Sequence, residues 1–216
     1  MVTSTVIAID GPAGAGKSTV GRAIARRLDV GYLDTGAMYR AVTFAVLRLG
    51  VDPHDTERVA QVASTIELDV TDVDGATVVV VDGEDATVEI RGREVTGAVS
   101  AVAANSGVRA EMVRRQRSMV TEQGGAVVEG RDIGSVVFPD ADLKLFVTAS
   151  ARVRAERRVA EIGGDVDEVE ASIIERDRKD SSRADSPLVE ASGATVVDTT
   201  GLSIQEVVDH ILGMLP

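Results

Sequence analysis

The chain has no cysteine, which excludes disulfides, thiolate metal sites and cysteine nucleophiles and is compatible with a cytoplasmic enzyme. It has two histidines: His54 lies in an Asp-Pro-His-Asp stretch that reads as a surface turn, and His210 in a terminal helical pattern. Neither marks a site. The only asparagine, Asn105, is followed by Ser106, so the Asn-Lys-x-Asp signature of regulatory GTPases is missing. No apolar run approaches membrane-spanning length, and the N-terminal residues enter a strand pattern without a basic-then-apolar leader. The expectation is a cytoplasmic protein with no membrane partner. The net charge of −12 disfavours a nucleic-acid polymer as partner; a nucleotide partner is expected to be small and met by local arginines. The 216 residues, 44% of them hydrophobic, suit one α/β domain with a full core.

Lysine is scarce too, with Lys17, Lys144 and Lys179 set against twenty arginines. That makes the position of Lys17 informative. Residues Gly11, Pro12, Ala13, Gly14, Ala15, Gly16, Lys17, Ser18 and Thr19 spell G-x-x-x-x-G-K-[ST] directly behind the apolar run Val6-Ile7-Ala8-Ile9-Asp10. In that strand-then-helix setting the pattern is a phosphate-cradling loop. Its glycines let backbone N–H groups wrap a polyphosphate. Lys17 reaches the β- and γ-phosphates, and the Ser18 hydroxyl is the candidate Mg²⁺ ligand. The helix beginning near Ser18 adds its N-terminal dipole. A mechanical or transport ATPase would carry an apolar strand ending in Asp-Glu, which Val127-Val128-Glu129 imitates weakly. A non-catalytic nucleotide-binding module remains a third reading.

β-rich runs at 6–10, 31–33, 126–129, 144–147 and 195–198 alternate with helical patterns at 17–28, 37–49, 108–123, 151–162, 166–181 and 204–215. Such alternation predicts a P-loop-type parallel five-stranded sheet flanked by helices. Residues 51–98 break the rhythm, with twelve acidic residues against three arginines. Within them, 66–70, 77–82 and 87–90 read as strands joined by Asp-Gly turns at 74–75 and 82–83, a hairpin signal. We expect a small antiparallel insert over 51–98, its acidity solvated, inside a core of 1–50 and 99–216. A short helical lid is expected over 152–183, with a Gly163-Gly164 hinge.

Five polar clusters fall near predicted strand ends, where α/β sheets place ligands. Asp34-Thr35-Gly36-Ala37-Met38-Tyr39-Arg40 offers Thr35 as a helix cap and Arg40 one turn on. In Glu129-Gly130-Arg131-Asp132-Ile133-Gly134, an arginine fork suits phosphate and an aspartate accepts from an amino group; a local salt bridge is the plainer reading. Arg176-x-x-x-Asp180-x-x-Arg183 puts three side chains on one helical face or just past its end. Ser100 with Arg109, and Asp198-Thr199-Thr200, complete the set. Arg154 and Arg157 are candidate lid arginines for the transferring phosphoryl group, whereas Arg152 and Arg178 read as solvated.

Taken in order, these motifs resemble the bacterial cytidylate kinases, over essentially the whole chain from residue 6 to about 212. The carriers are Ile-Asp-Gly-Pro-Ala-Gly-Ala-Gly-Lys-Ser-Thr, Asp-Thr-Gly-Ala-Met-Tyr-Arg, Glu-Gly-Arg-Asp-Ile-Gly-Ser-Val-Val-Phe-Pro and Glu-Arg-Asp-x-Lys-Asp-x-x-Arg. The resemblance implies a nucleoside monophosphate kinase that phosphorylates CMP or dCMP with ATP and Mg²⁺. It implies that residues 11–19 hold ATP, that Ser100, Arg109 and Asp132 read the cytosine, and that Arg176 and Asp180 take the ribose hydroxyls. Arg40, Arg131 and Arg183 would clamp the CMP phosphate, with Thr35 beside them. Catalysis is then expected from Lys17, Arg131, Asp132 and Arg183, in a monomer. The alternative is another small-acceptor kinase of the uridylate or shikimate type.

Overall fold

The computed structural model describes residues 5–183 and 185–214. Five strands, β1 (Thr5–Asp10), β2 (Gly31–Asp34), β6 (Gly125–Gly130), β7 (Leu143–Thr148) and β8 (Thr195–Asp198), form one sheet in the order β2-β6-β1-β7-β8. Every pairing in it is parallel. Strands buried on both faces need near-continuous apolar sequence, and Ile7, Ala8 and Ile9 of β1 are fully buried. One core lies on each face. Ile7, Ile9, Ile24, Val127, Leu145 and Ile211 pack on one side; Ala8, Leu33, Met38, Val128 and Met112 belong to the other.

Helices α1 (Lys17–Leu28), α2 (Thr35–Arg48), α5 (Ser106–Gln123) and α8 (Ile204–Leu212) supply residues to the cores on the sheet's faces, whereas α6 (Ala151–Ile162) and α7 (Val166–Ser181) pack on each other. The segment read as an antiparallel insert does contain a second sheet, of β3 (Leu68–Val73), β4 (Ala76–Val81) and the two-residue β5 (Glu84–Asp85). Both Asp-Gly turns exist: Asp74 and Gly75 have φ 52° and 83°, Asp82 and Gly83 51° and 81°, the paired positive values of a type I′ hairpin. The third expected strand, 87–90, is replaced by a 3₁₀ turn at Glu89–Arg91. The segment also carries helices α3 (Thr56–Thr65) and α4 (Arg93–Ala103), which the short apolar spacing there did not signal.

The acidity of the insert is partly spent on docking it. Asp72 pairs with Arg22 of α1 at 2.6 Å, and Asp82 with Arg48 of α2. The Arg22 guanidinium in turn lies 4.6 Å from the centre of the Tyr32 ring on β2. No described helix is long and apolar enough to cross a membrane.

Candidate active site

The sheet brings the C-terminal ends of β1, β2 and β6 side by side; β1 and β2 end in Asp10 and Asp34, and β6 carries Glu129 just before its last residue, Gly130. Immediately after β1 the chain turns through residues 11–16. Gly11 has φ 145°, and any side chain there would run into the Val147 carbonyl, so the close approach of loop to β7 requires glycine. Helix α1 opens after Gly16 with no side-chain cap, which leaves its first N–H groups available to an anion.

Lys17 is the first residue of α1, is buried, and donates through Nζ to the Pro12 carbonyl at 2.9 Å. Burial and the nearby Arg131 charge push its pKa well below the ordinary lysine value. The Ser18 hydroxyl donates to Glu129 Oε1 at 2.7 Å. The second Glu129 oxygen is buried without a partner, and burial followed by the Asp34 charge raises the Glu129 pKa. Lys17 thus ties the loop to itself through Pro12, with the Glu129, Asp34 and Asp10 carboxylates acting on its charge.

Opposite the loop, arginines converge from separate elements. Arg131 Nε donates to Asp180 Oδ2 at 3.0 Å, and Arg183 Nη2 to Asp180 Oδ1 at 2.5 Å. Arg176 approaches the same carboxylate at 4.0 Å, but its buried Nε has no hydrogen-bond partner. Arg40 on α2 donates to the Ile90 carbonyl at 3.1 Å and to Thr96 Oγ1 at 3.0 Å. Burial and mutual repulsion lower the pKa of Arg40, of Arg183 and of Arg176, the last to about 10. Such crowding of cations around the single buried Asp180 is what an anion site looks like before the anion arrives.

Arg131 and Asp132 do not form the local salt bridge. Arg131 goes to Asp180, whereas Asp132 pairs with Arg109 of α5 in a buried ion pair. Arg109 also lies 5.6 Å from the Tyr39 ring. A cavity of about 370 Å³ borders Arg109, lined by Ser106, Val113, Val136 and Asp185. Ser100 sits half-buried on α4.

One expectation for a single residue changes. The helix after β2 is capped by Asp34, whose Oδ1 accepts from Ala37 N–H at 3.0 Å. Thr35 is instead the first helical residue and donates to the Glu129 carbonyl at 2.7 Å. Arg154 and Arg157 brace the loop: Arg154 donates to the Ala13 carbonyl at 3.1 Å and pairs with Asp177 at 2.7 Å. Arg157 donates to Thr199 Oγ1 at 3.1 Å, and that hydroxyl donates to the Ala15 carbonyl at 3.1 Å. Thr199, from the strand-end cluster, is thus part of the support. The α6 arginine whose charge reaches Arg40 is Arg158, to which the sequence assigned no role. Asp10, Asp34 and Glu129 were likewise missed as site residues, although carboxylates at strand ends are a legible signal.

A family model described as cytidylate kinase matches residues 7–216. A cytidylate kinase of Mycolicibacterium paratuberculosis (strain ATCC BAA-968 / K-10) is 48% identical over 98% of this chain and 95% of its own length. One from Corynebacterium diphtheriae is 49% identical over 97% of this chain and 94% of its own length. A bifunctional pantoate ligase/cytidylate kinase of Synechococcus sp. (strain WH7803) is 50% identical over 98% of this chain, which spans 44% of that longer protein. Among solved structures, a gluconokinase from Sinorhizobium meliloti 1021 shares the fold with a TM-score of 0.50 and 16% identity, over 98% of this chain and 91% of that one.

Proposed function

Because the chain belongs to the cytidylate kinase family, we propose that it transfers the γ-phosphoryl group of Mg-ATP to CMP or dCMP, giving ADP and CDP or dCDP. The observation that carries this reading is the position of Arg131. It is bound to Asp180 in the arginine cluster, and it stands two residues after Glu129, which accepts from Ser18 of the loop. One guanidinium therefore faces both the donor loop and the acceptor cluster, where a phosphoryl group in flight has to be neutralised.

Residues 11–19 hold the ATP phosphates. Arg40, Arg131 and Arg183 clamp the acceptor phosphate, Arg176 and Asp180 meet the ribose, and Ser100, Arg109 and Asp132 read the base. An oxygen of the CMP phosphate attacks the γ-phosphorus in line while the bond to the β-phosphate oxygen breaks and ADP leaves. No side chain needs to remove a proton, since the attacking oxygen is already anionic. Catalysis comes from positioning and from neutralising charge on the equatorial oxygens. Ser18, with the Asp34 and Glu129 carboxylates around it, is a hard oxygen-donor set of the kind Mg²⁺ prefers, and the unpartnered Glu129 oxygen fits that role. Mg²⁺ would supply further charge neutralisation at the phosphates.

Cytosine is favoured over uracil because its exocyclic amine donates to a carboxylate such as Asp132, whereas the corresponding uracil oxygen would face it acceptor to acceptor. The uridylate- or shikimate-type alternative has no observation in its favour. All the groups named come from one chain, and we infer that a monomer suffices, with the 51–98 insert and the 152–183 lid closing over the substrates to exclude water. The test is ADP release from Mg-ATP with CMP, dCMP, UMP, AMP and shikimate as acceptors. The reading requires CMP or dCMP to lead by kcat/KM, and is lost if neither is phosphorylated.

A further inference from the structure

Asp10 ends the central strand one residue before the phosphate loop, and its side chain reaches across to the turn that follows β6. It is buried at 2% exposure. Its Oδ1 accepts from the Ile133 N–H and its Oδ2 from the Gly134 N–H, both at 2.8 Å. These are the opening N–H groups of the short helical turn Ile133–Val137, whose N-cap position is occupied by Asp132. An aspartate at an N-cap ordinarily folds its carboxylate back onto the second or third N–H of the turn, here Gly134 or Ser135. Asp132 makes no cap bond here; it reaches Arg109 instead.

We propose that Asp10 caps this turn from the neighbouring strand and thereby releases the Asp132 carboxylate for base recognition, which makes Asp10 a positioning residue for the choice of acceptor. The inference rests on the assignment of Asp132 to the base. Geometry supplies the motive. The turn needs two acceptors, Asp132 could furnish one of them locally, at the Gly134 N–H, and a carboxylate so engaged would be turned away from Arg109. Asp10 removes that competition. Burial pushes its pKa up to about 6, so at neutral pH both oxygens still accept. The same residue immediately precedes Gly11, and so the donor loop and the base-reading turn share one anchor on β1.

The experiment compares kcat/KM for CMP and UMP in the wild type, Asp10→Asn, Asp132→Asn and the double variant. Asparagine keeps the shape of Asp10 but sets an NH₂ against one of the two N–H donors, which costs about a charged hydrogen bond. The expected result is that Asp10→Asn lowers the CMP preference over UMP about tenfold or more while the KM for ATP stays within about twofold, and that adding it to Asp132→Asn lowers the preference no further. A merely structural role would move stability and both KM values together and leave base preference alone. If Asp132→Asn erodes the preference and Asp10→Asn does not, the proposal is overturned while the base assignment stands. If Asp132→Asn itself has no effect, the base assignment fails first. Should Asp10→Asn not fold, hydrogen exchange in the wild type decides: the Ile133 and Gly134 amides must be strongly protected, and exchange at the rate of an open loop would overturn the proposal.

Discussion

On the proposed reading, the donor loop and the acceptor cluster solve the same problem, holding phosphate, with opposite materials. The loop is nine consecutive residues whose recognition groups are backbone N–H donors, with one side-chain cation, Lys17, folded back onto the Pro12 carbonyl. The acceptor cluster takes Arg40 from α2, Arg131 from the end of β6, and Arg176 and Arg183 from α7 and its exit, held apart by Asp180. Backbone dipoles cost little to leave waiting. A crowd of half-buried guanidiniums does cost, as their lowered pKa values record. The two sites should therefore respond differently when a charge is removed: the loop mainly in turnover, the cluster in turnover at its arginines and in stability at Asp180.

The largest effect is expected in the loop. Lys17→Met should lower kcat by about a thousandfold, the scale of losing one preorganised charge at a transition state. It should hardly change the melting temperature, because it exchanges a buried cation for an apolar chain of similar length. ADP formation at saturating ATP and CMP, together with a thermal melt, checks both halves. Near-normal turnover would remove the loop from the chemistry, and a collapsed melting point would show that the loop, too, depends on its charge.

Within the cluster the comparison becomes sharper. Asp180→Asn leaves Arg131 and Arg183 without their shared counter-charge and should destabilise the ligand-free protein by about 3–5 kcal/mol, as for other broken buried pairs. CMP brings a replacement anion, so it should raise the melting temperature of this variant more than that of the wild type. Arg183→Ala relieves crowding instead. Its stability should stay within about 1 kcal/mol of wild type, while KM rises for every monophosphate and turnover falls. Equal melting shifts on CMP addition in wild type and Asp180→Asn would mean that the cluster does not hold the acceptor phosphate.

A smaller, pH-dependent effect belongs to Asp10, between the two sites. Its folded-state pKa is raised by burial from 3.8 to about 6. Between those values the folded state binds more protons than the unfolded chain. This residue's contribution to stability is therefore greatest at low pH and is lost as pH rises through that window, with a slope of at most about 1.4 kcal/mol per pH unit. Asp10→Asn should remove that component. Urea unfolding of both proteins between pH 4 and 7 gives the difference slope, and parallel curves would contradict the shift.

The contrast between the sites also explains what was legible. The five parallel strands and the loop could be read because their determinants are local: apolar runs, a glycine pattern, a lysine in a lysine-poor chain. Strand boundaries came out within about two residues, as such readings allow. The partners of Arg131 and Asp132 could not be read locally, because each pairs across more than twenty positions. Thr35 looked like a cap because threonine caps well, yet Asp34 is one residue closer to the right geometry. Helices α3 and α4 were hidden by the hairpin signals around them. Nothing in the nine-residue pattern announces that Lys17 is buried and folded back onto the Pro12 carbonyl.

The smallest effect should come from charges that merely resemble the cluster. Arg152 on α6 bridges to Asp167 and Glu170 on α7 and lies near Glu156, as many partners as any arginine of the acceptor site. Its side chain is 49% exposed, however, and Asp167 is 82% exposed. Water screens such pairs, so Arg152→Ala should cost about 0–1 kcal/mol. The bridge lies between the two helices flanking the Gly163-Gly164 turn, in the segment read as the lid. If those helices move together when substrates bind, the variant's kcat and both KM values should match wild type. If instead α6 swings against α7 on closure, the bridge must break and reform in each cycle, and removing it should change KM for ATP without changing stability. Steady-state kinetics with ATP and CMP varied separately, at low and high salt, distinguish the two. A salt dependence present in the wild type and absent in Arg152→Ala would show that an exposed ladder can tune the lid, and that the number of partners counts for more than burial would allow.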